Sequence, residues 1–245
     1  MKKKWLSVLL AAVLAMGTLA GCGGGAEESS GEDTQVSEET DDILGDGVFT
    51  VGFDAEYPPF GYMDDEGEYV GFDLVLAKAV CDAKGWEFEA KPVNWDAKDS
   101  ELNSGTIDCI WNGFTINGRE DDYTWSDPYL DNEQVIVVKA DSGIESLEDL
   151  AGKAVVVQAA SAALDALNNE DNKDLTASFG SLTENPDYNT AFMNLESGAA
   201  DAVAIDIGVA NYQLEQREQG AYVILDEPIQ SEQYGIGFKK GNDAL

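Results

Sequence analysis

The chain has 245 residues, of which 44% are apolar, so it can form one large or two small globular domains. It carries 48 acidic residues against 14 lysines and arginines. This net charge of −34 repels phosphate groups, and we expect no nucleic-acid partner. The absence of histidine excludes histidine-based catalytic triads and histidine metal sites, and we expect neither a metal nor a cofactor.

The N-terminus has the pattern of an export signal. Lysines at positions 2–4 precede an apolar run at residues 5–20. This run is shorter than the roughly 20 apolar residues of a transmembrane helix, but it suits a signal peptide. It closes on Leu19-Ala20-Gly21-Cys22, which resembles the bacterial lipobox, whose cysteine receives diacylglycerol and becomes the mature N-terminus. We predict a signal peptide at residues 1–21 and a lipid on Cys22, with a non-cleaved anchor as the alternative.

The segment at residues 22–42 has the composition of a tether. It is rich in glycine, serine, threonine and acidic residues and contains almost nothing apolar. Such a segment cannot bury enough apolar surface to offset its chain entropy. We therefore predict a disordered acidic tether here.

Strands and helices alternate in the first part of the remaining chain. Strands are predicted at residues 47–53, 68–70, 87–93 and 106–111, and helices at 97–103 and from Asp73, as N-cap, to Gly85. This alternation is typical of a mostly parallel sheet with both faces covered.

A second cycle of the same kind follows. Strands are predicted at residues 133–139, 154–157, 202–205, 222–225 and 234–238, and helical segments at 147–151, 189–196, 209–216 and after the N-cap Ser161 as far as Leu167. Two α/β units without a low-complexity linker between them indicate two lobes with a cleft, and ligands favour such clefts.

Two cysteines remain after Cys22. Cys81 lies in a predicted helix and Cys109 in a predicted strand. Outside the cytoplasm they could form a disulfide, but two separately buried thiols fit the sequence equally well.

Seven motifs occur in a fixed order along the chain. They are Phe53-Asp54-x-x-Tyr57-Pro58-Pro59-Phe60, Gly71-Phe72-Asp73-Leu74, Gly113-Phe114-Thr115-Ile116-x-x-Arg119, Trp125-Ser126-Asp127-Pro128-Tyr129, Leu150-x-Gly152-Lys153-x-Val155-x-Val157-Gln158, Gly198-x-x-Asp201-Ala202 with Asp206, and Tyr234-Gly235-Ile236-Gly237-Phe238. The set resembles the family 3 extracellular solute-binding proteins, the receptors of polar amino-acid ABC importers, from residue 49 to 245. Two features depart from the family pattern: Val75 replaces an acid, and Asn117-Gly118 is one residue shorter than usual.

The resemblance implies an α/β fold of the type II periplasmic-binding-protein kind. Its two lobes have mixed, mostly parallel sheets and are joined by two hinge strands. Lobe 1 comprises residues 43–128 and 231–245, and lobe 2 comprises residues 129–230. The family normally continues through a further helix and an aromatic-rich segment that packs on lobe 1. We therefore expect the C-terminal part of lobe 1 to be truncated, naturally or as a fragment, and to leave apolar surface exposed.

An amino acid presents a carboxylate, an ammonium and a side chain. Arg119 can bind a carboxylate with two N–H groups, and the resemblance assigns it this role, with a surface ion pair to Glu120 or Asp121 as the alternative. Thr115 and the backbone of Gly113 lie close by in the same motif. From the second lobe, we expect Ser161 and the amide of Ala162 to complete the carboxylate site.

The other predicted ligand contacts concern the ammonium and the side chain. The family pattern makes Asp206 the acceptor of the α-ammonium, with a solvated turn residue at the end of a strand as the alternative. Tyr57 and Trp95 match positions that enclose the ligand side chain, whereas core packing is the alternative for either residue alone. Asp54 at the far end of the pocket and Gln158 on its other wall suit arginine, lysine, ornithine or glutamine.

The resemblance also predicts partners and a location. We expect a monomer that delivers its ligand to an ABC permease and is held by its lipid on the extracellular face of the cytoplasmic membrane. This arrangement suits a Gram-positive type of envelope. We expect no enzymatic activity. The alternatives on the same fold are a cyclohexadienyl dehydratase-like enzyme, with Glu56 or Asp54 as general acid, and a stand-alone amino-acid sensor.

Overall fold

The computed structural model describes residues 44–245. The predicted signal peptide, the predicted lipid site Cys22 and the predicted tether lie outside the described residues. Among residues 44–245, no helix combines the length and the apolar character needed to cross a membrane.

The described residues form strands and helices in alternation. In chain order, the strands are β1 (Val48–Phe53), β2 (Glu56–Tyr57), β3 (Gly61–Met63), β4 (Tyr69–Val70), β5 (Glu87–Pro92), β6 (Cys109–Ile110), β7 (Tyr123–Trp125), β8 (Leu130–Lys139), β9 (Ala154–Gln158), β10 (Ser181–Asn185), β11 (Ala202–Asp206), β12 (Tyr222–Ile224), β13 (Gln230–Tyr234) and β14 (Gly237–Lys239). The α-helices are α1 (Phe72–Lys84), α2 (Lys98–Ser104), α3 (Ala162–Asn168), α4 (Lys173–Ser178), α5 (Tyr188–Ser197) and α6 (Ile207–Glu215). Short 3-10 turns lie at Trp95–Ala97 and Leu147–Leu150.

The first sheet has the strand order β5-β1-β6-β14-β7, and a small sheet β2-β3-β4 lies beside it. Strand β1 is parallel to β5 and β6, whereas β14 is antiparallel to β6 and β7. Helix α1 packs on one face of this sheet through Leu74, Ala77 and Cys81. Leu102 of α2 and Ile107 belong to a second cluster. Apolar residues in the strands therefore have partners on both faces.

The second sheet has the order β10-β9-β11-β8-β12, and β13 also pairs with β8. Strands β10 and β11 are parallel to β9, but β8 is antiparallel to β11, β12 and β13. Val155 and Val157 of β9 pack in a cluster with residues of α3, whereas Val156 packs with residues of α5 and α6. The alternation follows from the two-residue period of a strand.

Both sheets are mixed, as predicted, but parallel pairing has a smaller share than predicted. The antiparallel pairs come mainly from β8, β13 and β14. Tyr234 in β13 is in register with Leu130 in the second sheet, whereas Gly237 in β14 is in register with Ile110 and Trp125 in the first sheet. The predicted single strand at residues 234–238 is therefore wrong, because the chain passes from one sheet to the other between these residues.

Asp73 does not cap α1 as predicted. Gly71 occupies the N-cap position, and Asp73 lies in the first turn with its side chain fully buried. Its Oδ2 accepts a hydrogen bond of 2.6 Å from the backbone N–H of Gly113, forty residues away along the chain. The carboxylate that the sequence pattern assigned to the start of the helix therefore makes a long-range hydrogen bond instead.

Several short elements were not predicted. Helix α4 buries none of its residues, and β10 has one buried residue, so neither has the periodic apolar pattern on which sequence prediction depends. Conversely, the predicted strand at residues 106–111 is reduced to β6. Cys81 and Cys109 are both buried free thiols in the core of the first sheet.

Candidate functional site

A small cavity lies at the ends of β9 and β11 and is lined by residues of both sheets. Its lining residues are Tyr57, Trp95, Gly113, Thr115, Arg119, Gln158, Ser161, Ala162 and Asp206. Every predicted ligand-binding residue except Asp54 therefore lines this one cavity. The roles of these residues in binding stay predictions.

The ends of strands supply most of this lining. Gly113, Thr115 and Arg119 lie in the loop after β6, Gln158 ends β9, and Asp206 ends β11. In open α/β sheets, ligands bind outside the carboxyl ends of the strands. The cavity therefore occupies the position at which such a fold places its ligand.

Two buried carboxylates form the inner end of the site, Asp206 and Glu232, each 3% exposed. The amide nitrogen of Asn132 donates to Asp206 Oδ1 and to Glu232 Oε1, at 2.8 Å in both cases. The amide nitrogen of Gln134 donates to the same two oxygens at 2.7 Å each. Two side chains of β8 thus bridge the two acids.

Hydroxyl groups complete this network. The hydroxyl of Tyr234 donates to Asp206 Oδ1 at 2.6 Å, and Thr115 Oγ1 donates to Glu232 Oε1 at 2.7 Å. Burial, and then the negative charge of Glu232, raise the pKa of the Asp206 carboxyl to about 6. The inner end therefore holds negative charge that is surrounded only by neutral donors. This environment favours the binding of a cationic group.

Arg119 supplies a positive group to the same cavity. Its Nη2 lies 2.6 Å from Oδ2 of Asp165 in α3, so its ion-pair partner is in the second lobe rather than the neighbouring Glu120 or Asp121. The guanidinium carbon stacks 5.2 Å from the ring centre of Phe114. Nη1 is buried and has no protein partner. A buried N–H without an acceptor is costly, so this donor is available to an anionic group.

Gly113 brings its backbone close to the cavity. Its φ of 56° lies in the left-handed region, and a Cβ there would lie 3.0 Å from the ring of Tyr57. Oδ2 of Asp73 fixes the amide of Gly113 and also accepts from the Tyr129 hydroxyl at 3.0 Å. Burial raises the pKa of the Asp73 carboxyl to about 7. Asp73 therefore holds the loop that carries part of the lining.

Asp54 lies just outside the cavity, behind Gln158. Its Oδ2 accepts from Gln158 Nε2 at 2.7 Å, and the carboxylate is 8% exposed. It borders a more open pocket that Glu56, Trp95 and Asp187 also line. Burial raises the pKa of the Asp54 carboxyl. Asp54 and Gln158 were predicted as two walls of one pocket, but in this structure they bond to each other and separate the cavity from that pocket.

Ser161 is the N-cap that the sequence predicts. Its Oγ accepts from the backbone N–H of Leu164 at 3.2 Å and donates to the carbonyl of Gln158 at 2.8 Å. The preceding Ala160 has a φ of 54°, a left-handed conformation that is strained for a residue with a Cβ. This turn brings Ser161 and Ala162 to the cavity.

Direct contacts join the two lobes around the cavity. Lys98 Nζ of α2 donates to the carbonyl of Ala160 at 3.3 Å, and Asn189 Nδ2 of α5 donates to Glu56 Oε2 at 3.2 Å. The Arg119–Asp165 ion pair is a third such contact. The lobes are therefore closed over the cavity.

Some residues of the site were not predicted from sequence. Asn132 and Gln134 alternate in the polar first half of β8, so both point to one face, but Asp131 and Glu133 beside them are polar as well, and the pattern alone does not single the two amides out. Glu232 lies in a polar stretch without any such signal. Asp165, which is on an exposed helix surface, could not be distinguished from other surface acids.

A family match now connects this geometry with known proteins. Residues 49–245 match the bacterial extracellular solute-binding proteins, family 3. The chain belongs to this family. The resemblance and the two-lobe fold class predicted from sequence are thereby confirmed, and so is an extracellular location.

Relatives of this solute-binding protein come from several bacteria. It is 31% identical to the arginine-binding extracellular protein ArtP of Bacillus subtilis (strain 168), over 98% of this chain and 88% of ArtP. It is 32% identical to the ABC transporter glutamine-binding protein GlnH of the same organism, over 99% of this chain and 88% of GlnH. The crystal structure of an ABC uptake transporter substrate-binding protein from Streptococcus pneumoniae with bound histidine has a TM-score of 0.78 at 32% identity. That comparison covers 83% of this chain and 84% of the other. These relatives are binding proteins, which confirms the prediction of a non-enzymatic protein.

Proposed function

We propose that this protein binds a free amino acid with a cationic or amide side chain, namely arginine, lysine, ornithine or glutamine. The chain is the substrate-binding protein of an ABC uptake transporter for polar amino acids. One observation carries the finer proposal: Arg119, whose Nη1 has no protein partner, and the buried carboxylate of Asp206 line the same closed cavity.

Arg119 binds the ligand carboxylate in this proposal. Nη1 has no protein acceptor, whereas Nη2 is held by Asp165, so the guanidinium is already oriented before a ligand enters. A charge-assisted hydrogen bond contributes about 1.5–3 kcal/mol. Ser161 and Ala162 line the same part of the cavity from the second lobe and approach the carboxylate from the other side.

Asp206 accepts the ligand ammonium. Its carboxylate is buried, lies on the cavity wall and has Asn132, Gln134 and Tyr234 as donors. Thr115 and the backbone of Gly113 lie on the same wall and offer further acceptors. Arg119 and Asp206 lie in different lobes, so one zwitterion bridges the two lobes and favours the closed state.

Tyr57, Trp95 and Gln158 line the cavity and receive the ligand side chain, and Asp54 becomes its partner when the hydrogen bond between Gln158 and Asp54 opens. Tyr57 and Trp95 supply aromatic surface, and Gln158 supplies an amide. Asp54 lies immediately beyond that amide, at the start of the open acidic pocket. A long side chain that ends in a guanidinium, an ammonium or an amide can reach this end and find acceptors there. The relatives named for arginine and glutamine support the same range.

A thermal-shift screen of the twenty common amino acids and ornithine on the purified protein tests this assignment. Ligands that bind only the folded state raise the melting temperature in proportion to the logarithm of their concentration. We expect the largest shifts from arginine, lysine, ornithine or glutamine. Tight binding of leucine or glutamate, and of none of these four, would contradict the proposed side-chain preference.

We further propose that the protein is anchored by a lipid on Cys22, close to its permease. This proposal is supported by the lysines at positions 2–4 and by the apolar run that follows them and ends in Leu19-Ala20-Gly21-Cys22. The acidic segment at residues 22–42 comes next in the chain. In expressing cells, we expect the wild type in the membrane fraction and Cys22→Ala outside it. An equal distribution of the two proteins would contradict the anchor.

A further inference from the structure

Glu232 lies behind the wall of the cavity and is not part of its lining. It is on β13, one of the two paired strands near the inner end, and is 3% exposed. Its Oε1 accepts from Thr115, Asn132 and Gln134, and its Oε2 accepts from the amide of Gln230 at 3.0 Å. All these donors are neutral. None of the ion pairs among residues 44–245 involves Glu232 or Asp206.

The two acids are held together by shared donors. Oδ1 of Asp206 and Oε1 of Glu232 accept from the same nitrogen of Asn132 and from the same nitrogen of Gln134, at 2.7–2.8 Å. Two negative groups in one buried network repel each other, and neutral donors compensate only part of this cost. A positive charge is therefore needed to offset this repulsion. A proton supplies it when no ligand is bound, and a cationic group of the ligand supplies it in the complex.

Glu232 also determines what Thr115 can offer to a ligand. A threonine hydroxyl has one hydrogen, and Thr115 gives it to Glu232 at 2.7 Å. The oxygen of Thr115, which lines the cavity, is therefore left as an acceptor. An ammonium group, which is a donor of three hydrogens, fits this wall better than a hydroxyl or a carboxylate does.

We propose that Glu232 is a positioning residue for the ammonium site, where its buried charge keeps one proton on the Asp206–Glu232 pair until a ligand ammonium displaces it. This inference rests on the proposed function of the same cavity. It adds that ligand binding is linked to proton release.

The proton balance of this step is simple. Without a ligand, Asp206 carries a proton below about pH 6. The amino acid enters as a zwitterion and keeps all three hydrogens of its ammonium. Asp206 then ionises, its proton passes to the solvent, and the ammonium stands between the acceptors of the inner wall.

The other groups that face Asp206 do not carry its proton. They are the hydroxyls of Tyr57, Tyr188 and Tyr234, whose pKa values burial raises well above the usual range. These phenols are neutral at any pH at which an amino acid is a zwitterion. Arg119, the cation of the same cavity, is paired with Asp165. Asp206, with its pKa raised to about 6, is thus the group of this cluster whose proton is lost near neutral pH, whereas Asp73, with a pKa of about 7, bonds to Gly113 and Tyr129 and not to Asp206.

Calorimetric titration of the wild type tests the proposal. L-arginine and L-glutamine are titrated separately at pH 6 and pH 8, in buffers with different enthalpies of ionisation. At pH 6, where a group with a pKa of about 6 is half protonated, we expect the release of about half a proton, and at pH 8 almost none. Affinity for either ligand should increase about tenfold from pH 5 to pH 7 and then level off.

The variant Glu232→Gln removes the charge and keeps an oxygen acceptor for Thr115. We expect proton release at pH 6 to fall at least threefold, because Asp206 then titrates at lower pH. Affinity at pH 8 should fall about tenfold through the lost negative charge. Glu133→Gln is the matched control, since Glu133 is the neighbouring acid on β8, between Asn132 and Gln134, and points to the opposite face. It should behave as the wild type.

Three outcomes would overturn the inference. Arginine or glutamine that binds the wild type between pH 5 and pH 7 without proton release contradicts it and leaves the proposed function intact. The same proton release in Glu232→Gln as in the wild type also contradicts it. If none of arginine, lysine, ornithine and glutamine binds at any pH, the proposed function fails and this inference fails with it. Should Glu232→Gln not fold, the pH dependence of wild-type affinity decides alone.

Discussion

The two ends of the cavity differ in how they are built. At the inner end, Asp206, Glu232 and Thr115 are 3%, 3% and 1% exposed, and they bond to side chains of β8 and β13. At the outer end, Trp95 lies in a 3-10 turn and Asp54 follows the end of β1, beside a pocket open to solvent. The inner groups are fixed by a shared network, whereas the outer groups have few partners.

This difference corresponds to two tasks. Every amino acid has the same ammonium and carboxylate, so the groups that bind them can be locked into a rigid, fully bonded network. Side chains differ among amino acids, and residues on loops change more readily than residues in a buried network. We therefore expect changes at the inner end to affect all ligands alike and changes at the outer end to alter their ranking.

Arg119→Ala should have the largest effect. Two charge-assisted hydrogen bonds to a carboxylate contribute about 3–6 kcal/mol together, so affinity for every ligand should fall about 100-fold or more. Calorimetry with arginine and glutamine measures this loss. Arg217→Ala is the control, because Arg217 also pairs with an acid, Glu196, and stacks on a ring, but lies away from the cavity. A loss of less than threefold in Arg119→Ala would refute the carboxylate role.

Asp73→Asn tests whether Asp73, which holds the loop at Gly113, binds a proton in the folded protein. The pKa of Asp73 is raised to about 7 by burial, above its ordinary 3.8, so the folded state takes up a proton that the unfolded state lacks between these values. The stability of the wild type should therefore fall as pH rises from 4 to 8, by up to about 4 kcal/mol from this group. The variant lacks this dependence. Chemical denaturation at pH 4 and pH 8 should show similar stabilities at pH 4 and a more stable variant at pH 8. Parallel pH profiles for the two proteins would argue against a buried, proton-binding Asp73.

Asp54→Asn should change the ranking of ligands. We expect arginine and lysine to lose about tenfold in affinity, because a charge-assisted contact is removed, while glutamine changes by less than threefold. Competition calorimetry compares the three ligands. Asp96→Asn, which removes an exposed acid from the same open pocket, should leave the ranking unchanged. An equal loss for glutamine and arginine would mean that Asp54 supports the fold of the site and not its preference.

Ala160→Gly should have the smallest effect. Ala160 has a φ of 54°, which costs a residue with a Cβ about 1 kcal/mol relative to glycine. We expect the variant to be about 1 kcal/mol more stable, while ligand ranking is preserved. Ala159→Gly, one residue earlier, has no left-handed φ to relieve and should give no gain. A destabilised Ala160→Gly would show that this turn is not strained.

The sequence predicted the residues that line the cavity better than the hydrogen-bond network behind them. Ser161 could be placed as an N-cap because local chemistry determines caps, and Asp206 could be placed after an apolar strand because strand ends are visible in the pattern. The family motifs then related these residues to Arg119. The motifs and the periodicity together were enough to predict the residues that line the cavity.

The inner network depends on contacts between distant residues. Glu232 meets Thr115 only because β13 returns beside β8, and this pairing of Glu232 with Asn132 is not encoded in either stretch alone. Asp73 was assigned to its own helix, but it bonds to Gly113 instead. These partners could not be predicted because the sequence does not distinguish a polar side chain that bonds to a neighbour in the chain from one that bonds to a distant residue.

Binding of arginine and of two altered arginines tests whether Arg119 and Asp206 together hold the two charged ends of a zwitterion. Agmatine lacks the carboxylate, and Nα-acetylarginine lacks the ammonium, while both keep the guanidinium. If Arg119 and Asp206 clamp the two ends of a zwitterion, arginine should bind at least 100-fold more tightly than either compound at pH 8. Agmatine or Nα-acetylarginine that binds as tightly as arginine would contradict the account.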